Sequence, residues 1–455
     1  MRSVRLFTLA ILALCAALFA PAAQAKEPVL DIQVITSDKG ITAWLVEDHS
    51  IPVISFQFAF QGAGAALDPE NKQGLAQMAS NTMDEGAGDL KAQDFQRELR
   101  NLVISLGFTA SRDHFAGSLK TLSKNKERAF ELLKLAVNEP RFDKDPVERM
   151  SKANQSRIRS SLSDPDWIAA RLMNDVAFAG HPYALNSGGT LSTLNAITPA
   201  DLKAFHKARL GRNNVMVAVS GDITPEEVRI RLDELFGDLP EASLTPPADL
   251  TVQNSGKTFV YERDMPQTLI EIMQPGIDTH DPDYHAAQVM NFILGSSGFG
   301  SRLTTEIREK RGLTYGIYST FYNLDHLFGF TVSTSTKNEN VPEMLSLIQK
   351  EFQTMLSDNV SKKELEDAKS YLIGSLPLSL TSTDKIAGLL LSLQLNGRLA
   401  NYLELRENAI ESVSVKDVRR VAERILTPEN FTTVLVGKPE GLDNATPIKK
   451  IPNAE

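Results

Sequence analysis

The segment Ile197-Thr198-Pro199-Ala200-Asp201-Leu202 is followed by the apolar run Asn214-Val215-Met216-Val217-Ala218-Val219-Ser220-Gly221. The same pattern returns as Val413-Ser414-Val415-Lys416-Asp417-Val418, followed by Asn430-Phe431-Thr432-Thr433-Val434-Leu435-Val436-Gly437. Asp201 and Asp417 are 216 positions apart, as are Gly221 and Gly437. Pro52 and Pro266, each just ahead of a strand pattern, are 214 apart. Matches at nearly one offset indicate an internal duplication.

Each copy combines strand patterns with helical periodicity. Alternating apolar runs at residues 31–36 and 41–46 flank Ser37-Asp38-Lys39-Gly40, which predicts a hairpin near the start. We therefore predict an α+β fold of two homologous domains, each a mostly antiparallel sheet with helices packed on one face. The domains are placed at residues 26–238 and 257–445, here called the first and second halves, with a proline-containing linker at 239–256.

The first 25 residues have the pattern of a signal peptide. Arg2 and Arg5 precede an apolar core, and Ala23-Gln24-Ala25 forms a small-x-small cleavage site, which predicts cleavage after Ala25 and export to the periplasm. Cys15, the only cysteine, lies inside this segment, so the mature chain is predicted to form neither a disulfide nor a thiolate zinc site. An acidic net charge without a basic tract argues against nucleic acid. No other apolar run approaches the roughly 20 residues of a membrane span.

The second half contains a Gly/Ser run that leads into a charged helical segment. It reads Leu294-Gly295-Ser296-Ser297-Gly298-Phe299-Gly300-Ser301-Arg302-Leu303 and continues to Tyr315, with Gly312 closing the helical pattern. Arg308 and Tyr315 are seven positions apart. If they converge on a cleft, they can bind a peptide carbonyl; otherwise they are a surface arginine and a packed tyrosine. The run lacks a Gly-Lys-Ser/Thr ending, which argues against a nucleotide site.

Several short phrases carry a family resemblance. Those of the first half are Gly74-Leu75-Ala76, His181-Pro182-Tyr183, Gly189-Thr190 and Val219-Ser220-Gly221-Asp222, and those of the second are Gly300-Ser301-Arg302-Leu303 and Arg308-Glu309-Lys310-Arg311-Gly312-Leu313-Thr314-Tyr315. In this order they resemble the pitrilysin/insulinase family of zinc peptidases, the inverzincins, over nearly the whole mature chain.

That family binds zinc through His-x-x-Glu-His on the helix after Gly-Leu-Ala, where the two histidines share one helix face. Here the motif falls on Gln77, Ser80 and Asn81. The family's third ligand is a glutamate about 75 residues downstream, and the window 155–160 contains two arginines, expected to repel zinc, and no carboxylate. None of the seven histidines restores the pattern. We expect no metal on this chain.

The resemblance implies a role for what remains. In family members with a split active site, a comparable Arg/Tyr pair faces the zinc helix of the other half. Tyr315 would donate a hydrogen bond to the scissile carbonyl, and Arg308 would hold that tyrosine or a neighbouring carbonyl. Gly298, Gly300 and Ser301 would shape a peptide channel, although a plain loop leading into the helix is an equal alternative.

The expected function is thus that of a partner subunit in a two-chain zinc metalloendopeptidase that degrades peptides in the periplasm. A sister chain with intact His-x-x-Glu-His would supply the zinc, and this chain alone would be inactive. A structural or peptide-binding homologue without catalysis is the alternative.

Overall fold

A computed structural model describes residues 29–296 and 300–454. The predicted signal peptide, with Cys15, and the channel residue Gly298 lie outside the described residues. From Ile32 onward the chain forms one compact unit. Within the described ranges, no helix has the length and apolar character needed to cross a membrane.

Two six-stranded sheets organise the fold. The strands of the first half are β1 (Gln33–Thr36), β2 (Thr42–Glu47), β3 (Val53–Phe60), β4 (Gly86–Ala87), β5 (Leu90–Lys91), β6 (Ser105–Ala110), β7 (Phe115–Leu122) and β8 (Val215–Gly221). Those of the second half are β9 (Thr258–Glu262), β10 (Gln267–Pro275), β11 (Ile317–Leu324), β12 (Leu327–Lys337), β13 (Thr432–Gly437) and β14 (Thr446–Pro447). β4 and β5 form a separate small hairpin.

The two sheets share one topology. The first has the order β1-β2-β8-β3-β7-β6, and the second has the order β14-β9-β13-β10-β12-β11. The only parallel pair within the shared five strands is β2 with β8, matched by β9 with β13. The sheets differ at one edge, where β1 pairs antiparallel to β2 while β14 pairs parallel to β9. The predicted α+β fold with an internal duplication is confirmed.

The helices follow the same duplication. They are α1 (Leu75–Ser80), α2 (Ala92–Asn101), α3 (Lys126–Asn138), α4 (Lys144–Ser161), α5 (Pro165–Ala177), α6 (Leu191–Ala196), α7 (Pro199–Arg209), α8 (Pro225–Phe236), α9 (Tyr284–Leu294), α10 (Val341–Ser357), α11 (Lys362–Gly374), α12 (Leu376–Ser379), α13 (Thr383–Leu395), α14 (Tyr402–Ser412) and α15 (Val415–Ile425). The matched segments of the sequence begin α7 and α15, each with a capping box, Thr198 with Asp201 and Ser414 with Asp417.

One face of each sheet packs on helices of its own half. In β3, Phe56 and Phe58 point to this face, where their rings contact Phe130 of α3 and Phe236 of α8. Side chains alternate along a strand, so the residues between them face the other way. The sheets are thereby covered on the predicted side.

The opposite face of each sheet is covered by a helix from the other half, which the sequence did not predict. Ser55 and Gln57 of β3 face α13, where Ser55 Oγ lies 2.8 Å from Thr383 Oγ1 and Gln57 Nε2 donates to the Asp384 carbonyl at 3.0 Å. In return, α5 of the first half packs against β10 and β13 of the second sheet. This exchange of helices ties the two halves into one unit.

The segment predicted as a linker, residues 239–256, contains no helix or extended strand. It is held in place: the Leu250 amide donates to the His326 carbonyl at 2.8 Å, and Gln253 N donates to the Ala177 carbonyl at 2.9 Å. The segment therefore runs along the packed halves.

Candidate functional site

The helix at the family's zinc position, α1, begins directly after Gly74, whose φ of +87° favours glycine. A Cβ there would stand 2.8 Å from the Gly189 Cα. Asp68 accepts from the Ala76 amide at 3.1 Å and pairs with Arg209 at 2.9 Å. Burial raises the pKa of Asp68 to about 6, although Arg209 and the amide act in the opposite direction. A buried ion pair thus fixes the start of α1.

The three motif positions, Gln77 and Ser80 on α1 and Asn81 directly after it, bond to one another. Gln77 Nε2 donates to Ser80 Oγ at 3.2 Å and to Asn81 Oδ1 at 3.2 Å. From α4, Asn154 Nδ2 donates to the same Asn81 oxygen at 3.0 Å. The place where the family carries its zinc ligands therefore contains, in this chain, a network of neutral amide and hydroxyl groups.

The residue that faces α1 from α4 is Asn154, which bonds to Asn81. It lies one residue before the window 155–160, where the sequence placed the family's third ligand. Arg157 and Arg159 are exposed, so the predicted repulsion of zinc by this pair is wrong. The helical periodicity of this segment could have identified Asn154, because Ser151, Asn154 and Ile158 share the buried face of α4.

The residues present do not fit zinc. Protein zinc sites use thiolate, imidazole or carboxylate ligands, and Gln77, Ser80, Asn81 and Asn154 provide none of these. Within residues 29–296 and 300–454, no group of three or more His, Cys, Asp or Glu side chains is placed to hold a metal ion. Chemistry at this chain's own motif helix is therefore not that of a zinc peptidase.

The Arg/Tyr pair comes together. The guanidinium carbon of Arg308 lies 5.3 Å from the centre of the Tyr315 ring, within the range of a cation–π contact. Tyr315 is 88% exposed, so its ring is not packed in the interior. Of the two alternatives left by the sequence, the packed tyrosine is excluded: Tyr315 is exposed, and the half-buried Arg308 lies against its ring.

Arg308 lies on a π-helix, Thr304–Glu309, where a regular α-helix was expected. Such wide turns are rare and are often found at functional sites. Ile307 is fully buried, which anchors the turn in the core. Gly312, with φ of +64°, ends the segment, and its amide donates to the Arg308 carbonyl at 3.0 Å.

Hydrogen bonds from neighbouring threonine hydroxyls hold the backbone turn that carries Tyr315. Thr314 Oγ1 and Thr334 Oγ1 both donate to the Gly316 carbonyl at 2.9 Å. Thr336 Oγ1 donates to the Leu313 carbonyl at 2.7 Å. The backbone on both sides of Tyr315 is therefore held by β12, while the phenol ring projects outward.

The predicted channel residues behave differently from one another. Ser301 is only 6% exposed; its Oγ donates to Thr304 Oγ1 at 3.0 Å and accepts from the Thr304 amide at 3.4 Å, so it is turned toward the helical segment and does not face an open channel. Gly300 is exposed with φ of +105°. For Gly300, a place in a peptide channel stays a prediction.

Two family models match the chain. One described as insulinase (peptidase family M16) matches residues 60–190, and one described as peptidase M16 inactive domain matches residues 196–372. The chain belongs to the M16 peptidase family. The resemblance seen in the sequence is confirmed, and the boundary between the two matches falls in the first half, just before α7.

Among relatives, the M16 chain is 26% identical over 375 residues to a Helicobacter pylori protein named non-peptidase homolog YmxG, covering 82% of this chain and 86% of that protein. It is 23% identical over 342 residues to mitochondrial-processing peptidase subunit beta of Saccharomyces cerevisiae, covering 72% and 74%. Relatives thus include both a named non-peptidase and a named peptidase subunit.

Solved structures agree with the fold. A crystal structure of a peptidase M16 inactive domain from Pseudomonas fluorescens superposes with a TM-score of 0.83 at 28% identity, covering 92% of this chain and 100% of that chain. The periplasmic protease PqqL from Escherichia coli shares the fold, with a TM-score of 0.76 at 16% identity. This M16 chain covers 46% of the PqqL chain. The protein is an M16 homologue of the inactive type.

Proposed function

We propose that this chain is the partner subunit of a two-chain zinc metalloendopeptidase in the periplasm, and that it contributes substrate-binding groups and no zinc. The observation that carries the proposal is the Arg308–Tyr315 unit. The guanidinium carbon of Arg308 lies 5.3 Å from the centre of the Tyr315 ring, and Tyr315 is exposed. This exposure leaves the Tyr315 phenol accessible to a substrate carbonyl.

Chain length supports a partner. The described fold spans about half of PqqL, a single chain named as a periplasmic protease. Two chains of the present size are needed to match that length. We infer that a sister M16 chain with His-x-x-Glu-His supplies the other half, and that the zinc belongs to the sister. One relative is itself named as a subunit.

The residues of this chain would act on the substrate carbonyl. The Tyr315 hydroxyl donates a hydrogen bond to the carbonyl oxygen, where negative charge develops during attack. A donor of this kind stabilises a transition state by about 3 to 4 kcal/mol. Arg308 lies against the ring and restricts where the hydroxyl can point, and its charge favours the developing oxyanion. No proton leaves either group in this role.

The alternative, a non-catalytic structural or peptide-binding homologue, is supported by the closed amide network at Gln77, Asn81 and Asn154. The name of the Helicobacter pylori relative points the same way. The two proposals differ in whether a mixture with a zinc-bearing sister hydrolyses peptides.

The test is reconstitution. The chain and an exported M16 chain with intact His-x-x-Glu-His from the same genome are purified separately, mixed, and assayed on an unstructured peptide. We expect no hydrolysis by this chain alone and chelator-sensitive hydrolysis by the mixture. Hydrolysis at the same rate by the sister alone, or by the present chain alone, would exclude the proposed division of roles.

A further inference from the structure

Residues 446–454, here called the strap, cross from the second half of the molecule to the first. Its first part, β14, pairs parallel to the edge strand β9, with Thr446 opposite Phe259 and Pro447 opposite Val260. The Ile448 amide then donates to the Val260 carbonyl at 2.7 Å. The strap thus begins by adding a strand to the second sheet.

The far end of the strap is seated beside the start of α1. Ala454 is 3% exposed. The backbone carbonyl of Asn453 accepts from Asn186 Nδ2 at 3.1 Å. The side-chain oxygen Oδ1 of Asn453 accepts from Gln73 Nε2 at 3.4 Å. Gln73 immediately precedes Gly74, so the last described residues of the strap lie next to the N-terminus of α1.

Gln73 and Asn186 form a preorganised clamp. The backbone N–H of Asn186 donates to Gln73 Oε1 at 2.9 Å, and both residues are less than a tenth exposed. The Gln73 carbonyl accepts from Thr193 Oγ1 at 2.9 Å. These bonds join residues of the first half to one another, so they hold the clamp without any contribution from the strap.

The site has more room than the strap fills. A cavity of about 600 Å³ lies beside the strap residues Ile451 and Asn453, with Glu70, Leu162 and Tyr261 in its wall. Strand addition to a sheet edge, with pockets for individual side chains, is a general way of binding extended peptides. Edge, clamp and cavity together have the features of such a site.

We propose that β9 and the Gln73–Asn186 clamp form a peptide-binding groove, which the strap occupies in cis. In trans the groove takes an extended peptide of the same chemistry: a branched apolar residue directly after the two residues of the added strand and, at the far end, an asparagine followed by a small residue. A tethered segment competes at an effective concentration on the order of millimolar. The intact chain therefore excludes such a peptide. This proposal does not depend on the role of Arg308 and Tyr315.

The test uses a variant that lacks residues 446–455 and a fluorescein-labelled synthetic peptide with the sequence of residues 446–454. We expect saturable binding to the truncated chain by fluorescence polarisation, and binding at least tenfold weaker to the full chain. If a truncated chain with a cooperative thermal transition binds the peptide no better than the full chain, the proposal is wrong.

Peptide variants test the contacts. Ile448→Pro removes the amide that donates to Val260, and Ala454→Arg is too large for the buried position; each is expected to bind at least fivefold more weakly. Lys449→Ala is the matched control, because Lys449 is exposed, and it is expected to bind as the parent does.

A second variant covers the case in which truncation prevents folding. Ala454→Arg in the full-length chain is expected to displace the end of the strap and to open the groove to the labelled parent peptide. Binding of that peptide at least tenfold tighter than to the unmodified chain supports the proposal. Equal binding to the two full-length chains contradicts it.

Discussion

Arg308, on the π-helix, lies with its guanidinium carbon 5.3 Å from the centre of the ring of Tyr315, which stands in the connection to β11. The π-helix ends at Glu309, and Gly312, with a left-handed backbone, turns the chain back so that the Tyr315 ring lies over Arg308. The pair is therefore a product of this turn. Its exposure places it where a substrate or a second chain can reach it.

Arg308→Ala tests the arginine within the reconstituted peptidase. We expect kcat/KM of the mixture to fall about tenfold or more, since the charge near the carbonyl and the restraint on Tyr315 are both lost; tenfold corresponds to about 1.4 kcal/mol. Arg311→Ala is the matched control, because Arg311 pairs with Glu306 at 2.8 Å. Equal losses in the two variants would point to a general effect of surface charge.

A zinc site can be grafted onto the motif helix. Replacing Gln77 by His, Ser80 by Glu, Asn81 by His and Asn154 by Glu places two imidazoles on one helix face and a carboxylate opposite them. We expect about one zinc per chain after gel filtration, measured by elemental analysis, and substoichiometric zinc on the unmodified chain.

The position of the third ligand has its own control. In a second graft, Gln155→Glu replaces Asn154→Glu. Gln155 bonds to Asn195 at 2.9 Å and not to the motif helix, so this graft is expected to retain much less zinc. If both grafts bind equally well, Asn154 is not the third-ligand position.

The buried pair of Asp68 and Arg209 is expected to be important for stability. Both side chains are less than a tenth exposed. Removing one partner of a buried pair leaves an uncompensated charge and typically costs about 3 to 5 kcal/mol. Arg209→Met should lower the free energy of unfolding by about this amount in urea titrations. Adding Asp68→Asn should recover part of the loss, and a purely additive double variant would show that the two residues do not interact.

Glu271 occupies in β10 the position that Gln57 occupies in β3. Gln57 pairs with Ala218 and Glu271 with Val434, which are 216 positions apart in the matched strands. Gln57 donates to the exchanged helix α13. Glu271 instead accepts from Ser333 Oγ at 2.6 Å. Burial raises the pKa of Glu271 to about 7, the Ser333 hydroxyl acts against this rise, and the charge of Asp166 on α5 adds to it.

This carboxyl predicts a pH dependence of stability. Below about pH 4.5 it is protonated in both states; as pH rises toward 7, the unfolded chain releases its proton first, and stability falls. Glu271→Gln should therefore stabilise the protein by up to about 3 kcal/mol at pH 8 and have little effect at pH 4.

The exposed Glu262 supplies the control for this profile, and Glu262→Gln is expected to change stability little at either pH. Thermal unfolding followed by circular dichroism across pH 4 to 8 makes the measurement. A Glu271→Gln curve parallel to that of the unmodified protein would rule out a raised pKa in the folded state.

Local pattern was sufficient for most of the fold. The hairpin of β1 and β2 and the capping boxes at Thr198 and Ser414 were predictable because turn residues and caps act within a few positions. Which sheet a helix covers is not a local property. The exchange of α5 and α13 depends on packing between residues far apart in the sequence, such as Ser55 and Thr383, which are 328 positions apart.

The candidate site was predictable in its residue types and less so in its geometry. The loss of zinc ligands at Gln77, Ser80 and Asn81 was predictable from the family resemblance, which fixes where the motif falls after Gly74-Leu75-Ala76. The partner Asn154 depends on how α4 is rotated against α1, and a shift of one residue was enough to miss it. Ser301 was assigned to a channel because a Gly/Ser run suggests an open loop; in the structure it is buried, and its Oγ bonds to Thr304 at the start of the π-helix. The strap had no signal, because a two-residue strand shows no periodicity.

The central claim is that Tyr315 acts on the substrate of a two-chain peptidase. The direct measurement is kcat of the reconstituted mixture with Tyr315→Phe, which removes only the hydroxyl, beside Tyr318→Phe, a nearby exposed tyrosine on β11. We predict that Tyr315→Phe lowers kcat about 100-fold or more, with KM little changed, while Tyr318→Phe leaves kcat within about twofold. An unchanged kcat for Tyr315→Phe in an active mixture would contradict the account.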